Sequence, residues 1–266
     1  MNGGSLAKSR RFGFWVLLAT SAAALPSTGF TACDAHSGPK TAALVELYTS
    51  EGCSSCPPAD RRLARLRQAL DPAAEVVPLA LHVGYWDYIG WKDAYAQEVF
   101  GERQSWLVYA NGQKTVYTPQ FFVGGTELRS WQGTLQDRVR QVNMLPAAAT
   151  IRIQARLTAS GALALRAEAS ARPGTGPAAL YLALAENGLV TRVMAGENGG
   201  VTLAHEHVVR DWIGPIRLAA GAAQAEREIA LPAGWNRARL EVVAFVQDER
   251  NGSVLQALSA QQCAAS

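Results

Sequence analysis

Once the first residues are set aside, this chain has almost no net charge. The formal total is +3, and Lys8, Arg10 and Arg11 account for all of it. A charge balance so close to neutral does not point to nucleic acid, and no such partner is expected. The sequence also has no apolar run long enough for a confident membrane span, no internal repeat or low-complexity tract, and no nucleotide, haem or flavin motif. No cofactor and no metal is therefore expected. Arginine outnumbers lysine heavily and alanine is abundant, a bias of coding rather than of function. At 266 residues the chain is long enough for two modest domains with cores of their own.

Lys8, Arg10 and Arg11 precede an uncharged run from Phe12 to Ala24, then small and polar residues including Pro26, Ser27 and Gly29. This is the plan of an export signal over residues 1–32, and a cleaved peptide is expected because no basic stop-transfer patch follows. Ser9-Arg10-Arg11-Phe12 resembles the start of a twin-arginine signal, with Gly13 where an apolar residue is usual. Phe30-Thr31-Ala32-Cys33 resembles a lipoprotein cleavage box with phenylalanine in place of leucine, so lipid anchoring at Cys33 is the lesser alternative. The expected location is periplasmic or secreted, where disulfides persist. The chain has four cysteines. Close spacing favours a Cys53/Cys56 pair and leaves Cys33 with Cys263, unless Cys33 is a lipid anchor or leaves with the signal.

From 41 to 145 the periodicities alternate. Leu44 to Tyr48 is a short apolar run, Ala59 to Leu70 has helical spacing, and Glu75 to Val83 is again apolar and β-rich. Such a strand-helix-strand unit implies a parallel pair. Ala94 to Ala110 reads as a second helix, Thr118 to Val123 with Gly124-Gly125 and Glu127 as a hairpin, and Leu135 to Met144 as a closing helix. Beyond Pro146, strict alternation at Ile151, Ile153, Leu163 and Leu165 signals half-buried antiparallel strands. The expected class is an α/β domain (41–145) followed by an all-β sandwich-like domain (149–258), with 259–266 a tail.

Cys53-Ser54-Ser55-Cys56 stands where the first strand gives way to the first helix. Two cysteines at that spacing on a first helical turn can close a small disulfide, and the positive end of the helix dipole stabilises a thiolate there. Pro57 and Pro58 are tolerated because first-turn amides have no intrahelical acceptor.

Strand, Cys-x-x-Cys, helix, then Thr118-Pro119 before a hairpin strand resembles the thioredoxin fold. That resemblance implies a thioredoxin-like N-terminal domain with Cys53 the attacking thiolate, Cys56 the resolving thiol, and Thr118-Pro119 positioning an extended substrate. Glu46 falls one residue out of step with the buried proton acceptor of that fold and is alternatively salt-bridged. Thr49 to Asp60, His82 to Asp93, Glu186 to Leu189, Gly196 to Gly200 and His205 to Arg210 look like a secreted bacterial family, domain of unknown function 1223. That likeness implies a thioredoxin-like half joined to a β-rich one and supplies no activity.

Tyr85 and Trp86, with Tyr88 and Trp91, follow the second strand and would wall a substrate cleft or cover an interface. His82 beside the two cysteines suggests a rival Cu(I) site, against which stands an ordinary structural histidine. His205 and His207 share one strand face, read as exposed and polar. The leading expectation is a thiol-disulfide oxidoreductase acting on envelope protein thiols or disulfides. Its alternatives are a non-catalytic binding protein with a structural Cys53-Cys56 bridge and, third, a Cu(I) chaperone. Oligomeric state is not legible.

Overall fold

The computed structural model describes residues 1–4 and 33–260. Most of the segment read as an export signal, and Cys263, lie outside the described residues. The first half comprises β1 (Cys33–His36), β2 (Ala43–Thr49), α1 (Pro57–Ala64), β3 (Val76–His82), a 3-10 helix (Gly84–Ile89), α2 (Glu98–Ala110), the hairpin β4 (Gln120–Val123) and β5 (Thr126–Glu127), and α3 (Trp131–Asn143). The second half comprises β6 (Ala149–Leu157), β7 (Leu163–Ala171), β8 (Ala178–Glu186), β9 (Leu189–Arg192), β10 (Thr202–His205), β11 (Val208–Arg217), β12 (Ala222–Ile229), β13 (Leu240–Asp248) and β14 (Val254–Ala260).

Local chemistry explains most of these. β2 and β3 are buried at every position, as apolar runs in a parallel pair should be. β6 and β7 alternate, with Ile151, Ile153, Leu163 and Leu165 inward. The β4–β5 turn needs Gly124 and Gly125, with φ of +61° and +84°. A Cβ on Gly125 would also lie 1.8 Å from the Gly252 carbonyl oxygen, where the β13–β14 turn packs against this hairpin.

An α/β thioredoxin-like domain followed by a separate all-β sandwich is not what forms. One eight-stranded mixed sheet runs through both halves in the order β14-β13-β8-β11-β3-β2-β4-β5. Its join is parallel: Val208 of β11 stands opposite Ala80 of β3, and the Ala80 amide donates to the His207 carbonyl at 2.8 Å. The physical reason is the edge of β3. An apolar strand with a free edge exposes a row of unpaired amides and carbonyls, and β11 covers it. Periodicity along a strand carries no information about which distant strand does so.

Three cores follow from this sheet. On one face of β2 and β3, Leu44, Leu79, Phe100 and Leu107 pack with Tyr181, Val243 and Phe245 from the second half, so this core is common to both halves. On the other face, Leu47, Phe121, Leu63 of α1 and Leu135 of α3 form a second. The third lies between β8 and β13 (Leu180, Leu182, Val242, Val246) and the sheet β1-β6-β7-β12 (Ile151, Ile153, Leu165). β8 and β13 are accordingly buried throughout rather than alternating. β14, through Ala260, continues the sheet into the segment expected to be a tail.

A buried ion pair sits inside the common core. Arg103 of α2 donates through Nε to Glu46 Oε1 at 2.6 Å and through Nη2 to Glu46 Oε2 at 3.1 Å and Gln247 Oε1 at 3.0 Å. The rings of Tyr181, Trp212 and Phe245 surround its guanidinium within 5.0 Å. Arg103→Ala leaves the buried Glu46 without its ion-pair partner, so it should lower stability by about 3–5 kcal/mol, read as a reduced urea midpoint.

A second pairing predicts acid behaviour. Glu241 of β13 meets Arg67 and His207. Burial alone would raise its pKa, but the His207 hydrogen bond and the Arg67 charge outweigh burial and lower it from 4.5 to about 2. A folded value below the unfolded one stabilises the protein above the unfolded pKa, and that contribution disappears as pH falls from 4.5 to about 2. Glu241→Gln should therefore flatten the loss of stability over that interval in acid denaturation curves.

Candidate functional site

β2 ends at Thr49, and the chain turns through Ser50, Glu51 and Gly52 into Cys53 at the carboxyl end of the parallel strands. Cys56 is the N-cap residue of α1, and Pro57 and Pro58 occupy the first turn, where no amide is missed. Cys53 and Cys56 form a disulfide with Cα atoms 5.5 Å apart. Ser54 and Ser55 between them are exposed, while both cysteines are fully buried. Cys53 Sγ lies 3.3 Å from Ser55 Oγ, a hydroxyl placed to stabilise charge on that sulfur.

The aromatic segment closes one side. A Cβ on Gly52 would lie 3.2 Å from Trp86 Cβ and 3.3 Å from Ile89 Cδ1, so glycine permits this contact. Trp86 Nε1 donates to Thr118 Oγ1 at 2.7 Å, linking the cysteine loop to Thr118-Pro119, whose peptide bond is cis. The Tyr85 hydroxyl lies beside Gln104 and Thr118. Trp91 Nε1 donates to Glu51 Oε2 at 2.8 Å. Tyr88 faces solvent.

The second half covers the other side. Between β9 and β10 the chain passes over the cysteines at Gly196, Glu197 and Asn198. The exposed Glu197 carboxylate accepts from the Ser54 amide at 2.9 Å and the Ser54 hydroxyl at 2.7 Å, and these bonds lower its pKa. Asn198 Nδ2 donates to the carbonyls of Glu51 at 2.8 Å and Cys53 at 3.0 Å. Sequence reasoning met these residues only as part of a family likeness. Nothing local in Gly-Glu-Asn-Gly-Gly signals that it caps a loop about 145 residues earlier.

Beneath the disulfide lies a buried polar cluster. His82 and Thr49 lie on the face of the sheet on which α1 packs, since they stand two positions beyond Ala80 and Leu47 on their strands. His82 Nδ1 pairs with Asp93 Oδ2 at 2.7 Å, and His205 Nε2 with Glu51 Oε1 at 3.1 Å. The two imidazole centroids are 5.1 Å apart, and Tyr95 packs edge-on against both. Burial would lower the His82 pKa, but the charge and hydrogen bond of Asp93 raise it overall. The same pair lowers Asp93 despite its burial. Asp60, on the first turn of α1, is raised by burial, while His82 and His205 oppose the rise.

Several expected placements change. Glu46 shares with Leu44 and Tyr48 the face of β2 turned away from α1, and its carboxylate is held by Arg103. This is the salt-bridged alternative, on the face of the sheet away from the helix that Cys56 begins. His205 and His207 do not share an exposed face: both are buried, and His207, at φ +59°, turns the chain between β10 and β11. That turn sends His205 to Glu51 and His207 to Glu241. Cys33 opens β1 opposite Ala155, remote in sequence from this site. Asp60 and Asp93 went unread, although Asp60 follows Cys56 by four residues, the spacing that puts two side chains on one helix face.

This arrangement defines a class: a β-rich mixed fold holding an oxidised cysteine pair at a helix N-terminus, above buried acids and imidazoles. The chain belongs to the family described as "Protein of unknown function (DUF1223)", whose model matches residues 44–247. No curated protein matches it. A crystal structure of an Agrobacterium tumefaciens protein is similar over 84% of this chain and 96% of that one, at 23% identity and a TM-score of 0.61. HBP35 of Porphyromonas gingivalis is similar over 86% of this chain and 77% of that one, at 18% identity and a TM-score of 0.66. At these identities the likeness is one of fold.

The cover makes a kinetic prediction. Glu197→Ala removes the carboxylate oxygen that accepts both Ser54 bonds, and the rate at which dithiothreitol reduces Cys53-Cys56 should rise about tenfold, the size expected for charge-assisted bonds near solvent. Timed thiol alkylation and mass spectrometry would measure it.

Proposed function

We propose that this chain is an exported thiol-disulfide exchange protein in which Cys53 and Cys56 are the exchanged pair and the Gly196–Asn198 segment gates them. The observation that carries this reading is the position of the pair. Cys56 begins α1 at the carboxyl end of the parallel strands, where the helix dipole stabilises a thiolate, and Ser55 Oγ lies beside Cys53 Sγ. Thr118-Pro119, tied to the cysteine loop through Trp86, is the substrate-positioning edge. Tyr85 and Trp86 wall the cleft at Thr118. The substrates are thiols or disulfides of envelope proteins. Exchange begins with release of Glu197 and Asn198, because Cys53 has no exposed surface while they are in place.

The same burial favours a second reading. A disulfide with both cysteines inaccessible and clamped by a distant loop also suits a structural bridge in a binding protein. The reduction potential separates the two. The protein, with Cys33 and Cys263 replaced by serine, would be equilibrated with glutathione or dithiothreitol buffers and its thiols counted by mass tagging. A value between about −120 and −270 mV is expected for an exchange protein; one below about −300 mV marks a structural bridge and overturns the reading.

A further inference from the structure

The polar cluster beneath the disulfide has more ionisable groups than structure alone demands. Glu51, Asp60 and Asp93 supply three carboxyl groups, His82 and His205 two imidazoles, so full ionisation leaves a net charge of −1 in a buried space. Burial of unbalanced charge favours uptake of one further proton. His82 Nε2 is buried and has no hydrogen-bond partner among the described residues. Asp60 is half-buried, whereas the other acids and both imidazoles of the cluster are buried. It is also the member of the cluster carried by α1, four positions after Cys56. The Asp60 amide donates to the Cys56 carbonyl at 3.1 Å, and side chains four apart on a helix are neighbours.

We propose that Asp60, backed by His82, exchanges a proton with the Cys56 sulfur as the disulfide opens and closes. This deepens the exchange reading and rests on it. A thiolate of a partner dithiol attacks Cys53 Sγ; the Cys53-Cys56 bond breaks, and its electron pair leaves on Cys56 Sγ. The carboxyl proton of Asp60 moves to that thiolate, and a proton from solvent restores it once the cover has opened. The second partner thiolate then attacks the mixed disulfide and releases Cys53, so two electrons pass from the partner dithiol into the pair. In the opposite direction the Asp60 carboxylate takes the proton from Cys56 and frees its thiolate to resolve the mixed disulfide.

The groups facing Asp60 set its pH response. His82 from β3 and His205 from β10 oppose the rise that burial causes, and Asp93 adds to it. Glu51 and Tyr95 complete the cluster around the two imidazoles. Disulfide opening needs the acid form of Asp60, so its rate should fall as pH climbs through the raised Asp60 value.

Reduction of the full chain by dithiothreitol, with rates normalised to the dithiothreitol thiolate, would be followed between about pH 5 and pH 9. The native cover and the Glu197→Ala background would be run side by side, so that gating does not mask the proton step. Asp60→Asn should be about tenfold slower at the acidic end and lose the inflection, whereas Asp60→Glu should keep it. His82→Asn removes a charge that lowers the Asp60 pKa, so the inflection should move to higher pH. An unaltered profile in Asp60→Asn overturns the proposal. If that variant fails to melt cooperatively, an inflection that stays in place in His82→Asn does so instead. A potential below about −300 mV in the unsubstituted pair would remove the exchange reading, whatever the Asp60 profiles show.

Discussion

The parallel pairing of β3 with β11 is the constraint on which the rest of this molecule depends. It is short, with Val208 opposite Ala80, yet it covers the edge that β3 would otherwise present to solvent and makes one sheet of strands from both halves. His207 turns the chain immediately before this contact. His205 is thereby set over Glu51, and the β9–β10 connection is carried across the cysteines. The site is thus assembled from both ends of the chain.

Buried charge is distributed in two ways. Arg103 and Glu46 pair bidentately inside an aromatic enclosure, and each satisfies the other, so their chemistry is spent on holding α2 against β2 and β13. The cluster below the disulfide is not balanced in this manner. Its carboxyl groups outnumber its imidazoles, and one imidazole nitrogen has no hydrogen-bond partner among the described residues. A core that serves stability alone has no need of such an excess, which is why these residues, and not Glu46, attract a functional reading.

Much of the local structure was legible. The apolar runs at Leu44–Tyr48 and Glu75–Val83 became β2 and β3, the helical spacing after Cys56 became α1, and alternation marked β6 and β7. Boundaries moved where tertiary packing decided them. The helix expected from Ala94 begins at Glu98, because the chain before it is held by Asp93 and Tyr95 in the cluster. The run from Val201 to Val209 forms parts of two strands, divided at His207. β1 and β14 were missed: each is an edge strand whose pattern is set by one neighbour.

What the sequence determined by itself was local. The spacing of Cys53 and Cys56, the prolines after them and the apolar run before them are enough to form a small disulfide at a helix N-terminus, because each depends on neighbours within a few residues. The fold class was not determined in this way, since hydrogen bonding between β3 and β11 joins positions more than a hundred residues apart. Tertiary structure alone decided that both cysteines are buried, that Glu197 and Asn198 cover them, and that Asp60, His82, Asp93 and His205 meet beneath them. Burial and long-range ionic contact are properties of the packed chain, and periodicity along a segment does not encode them.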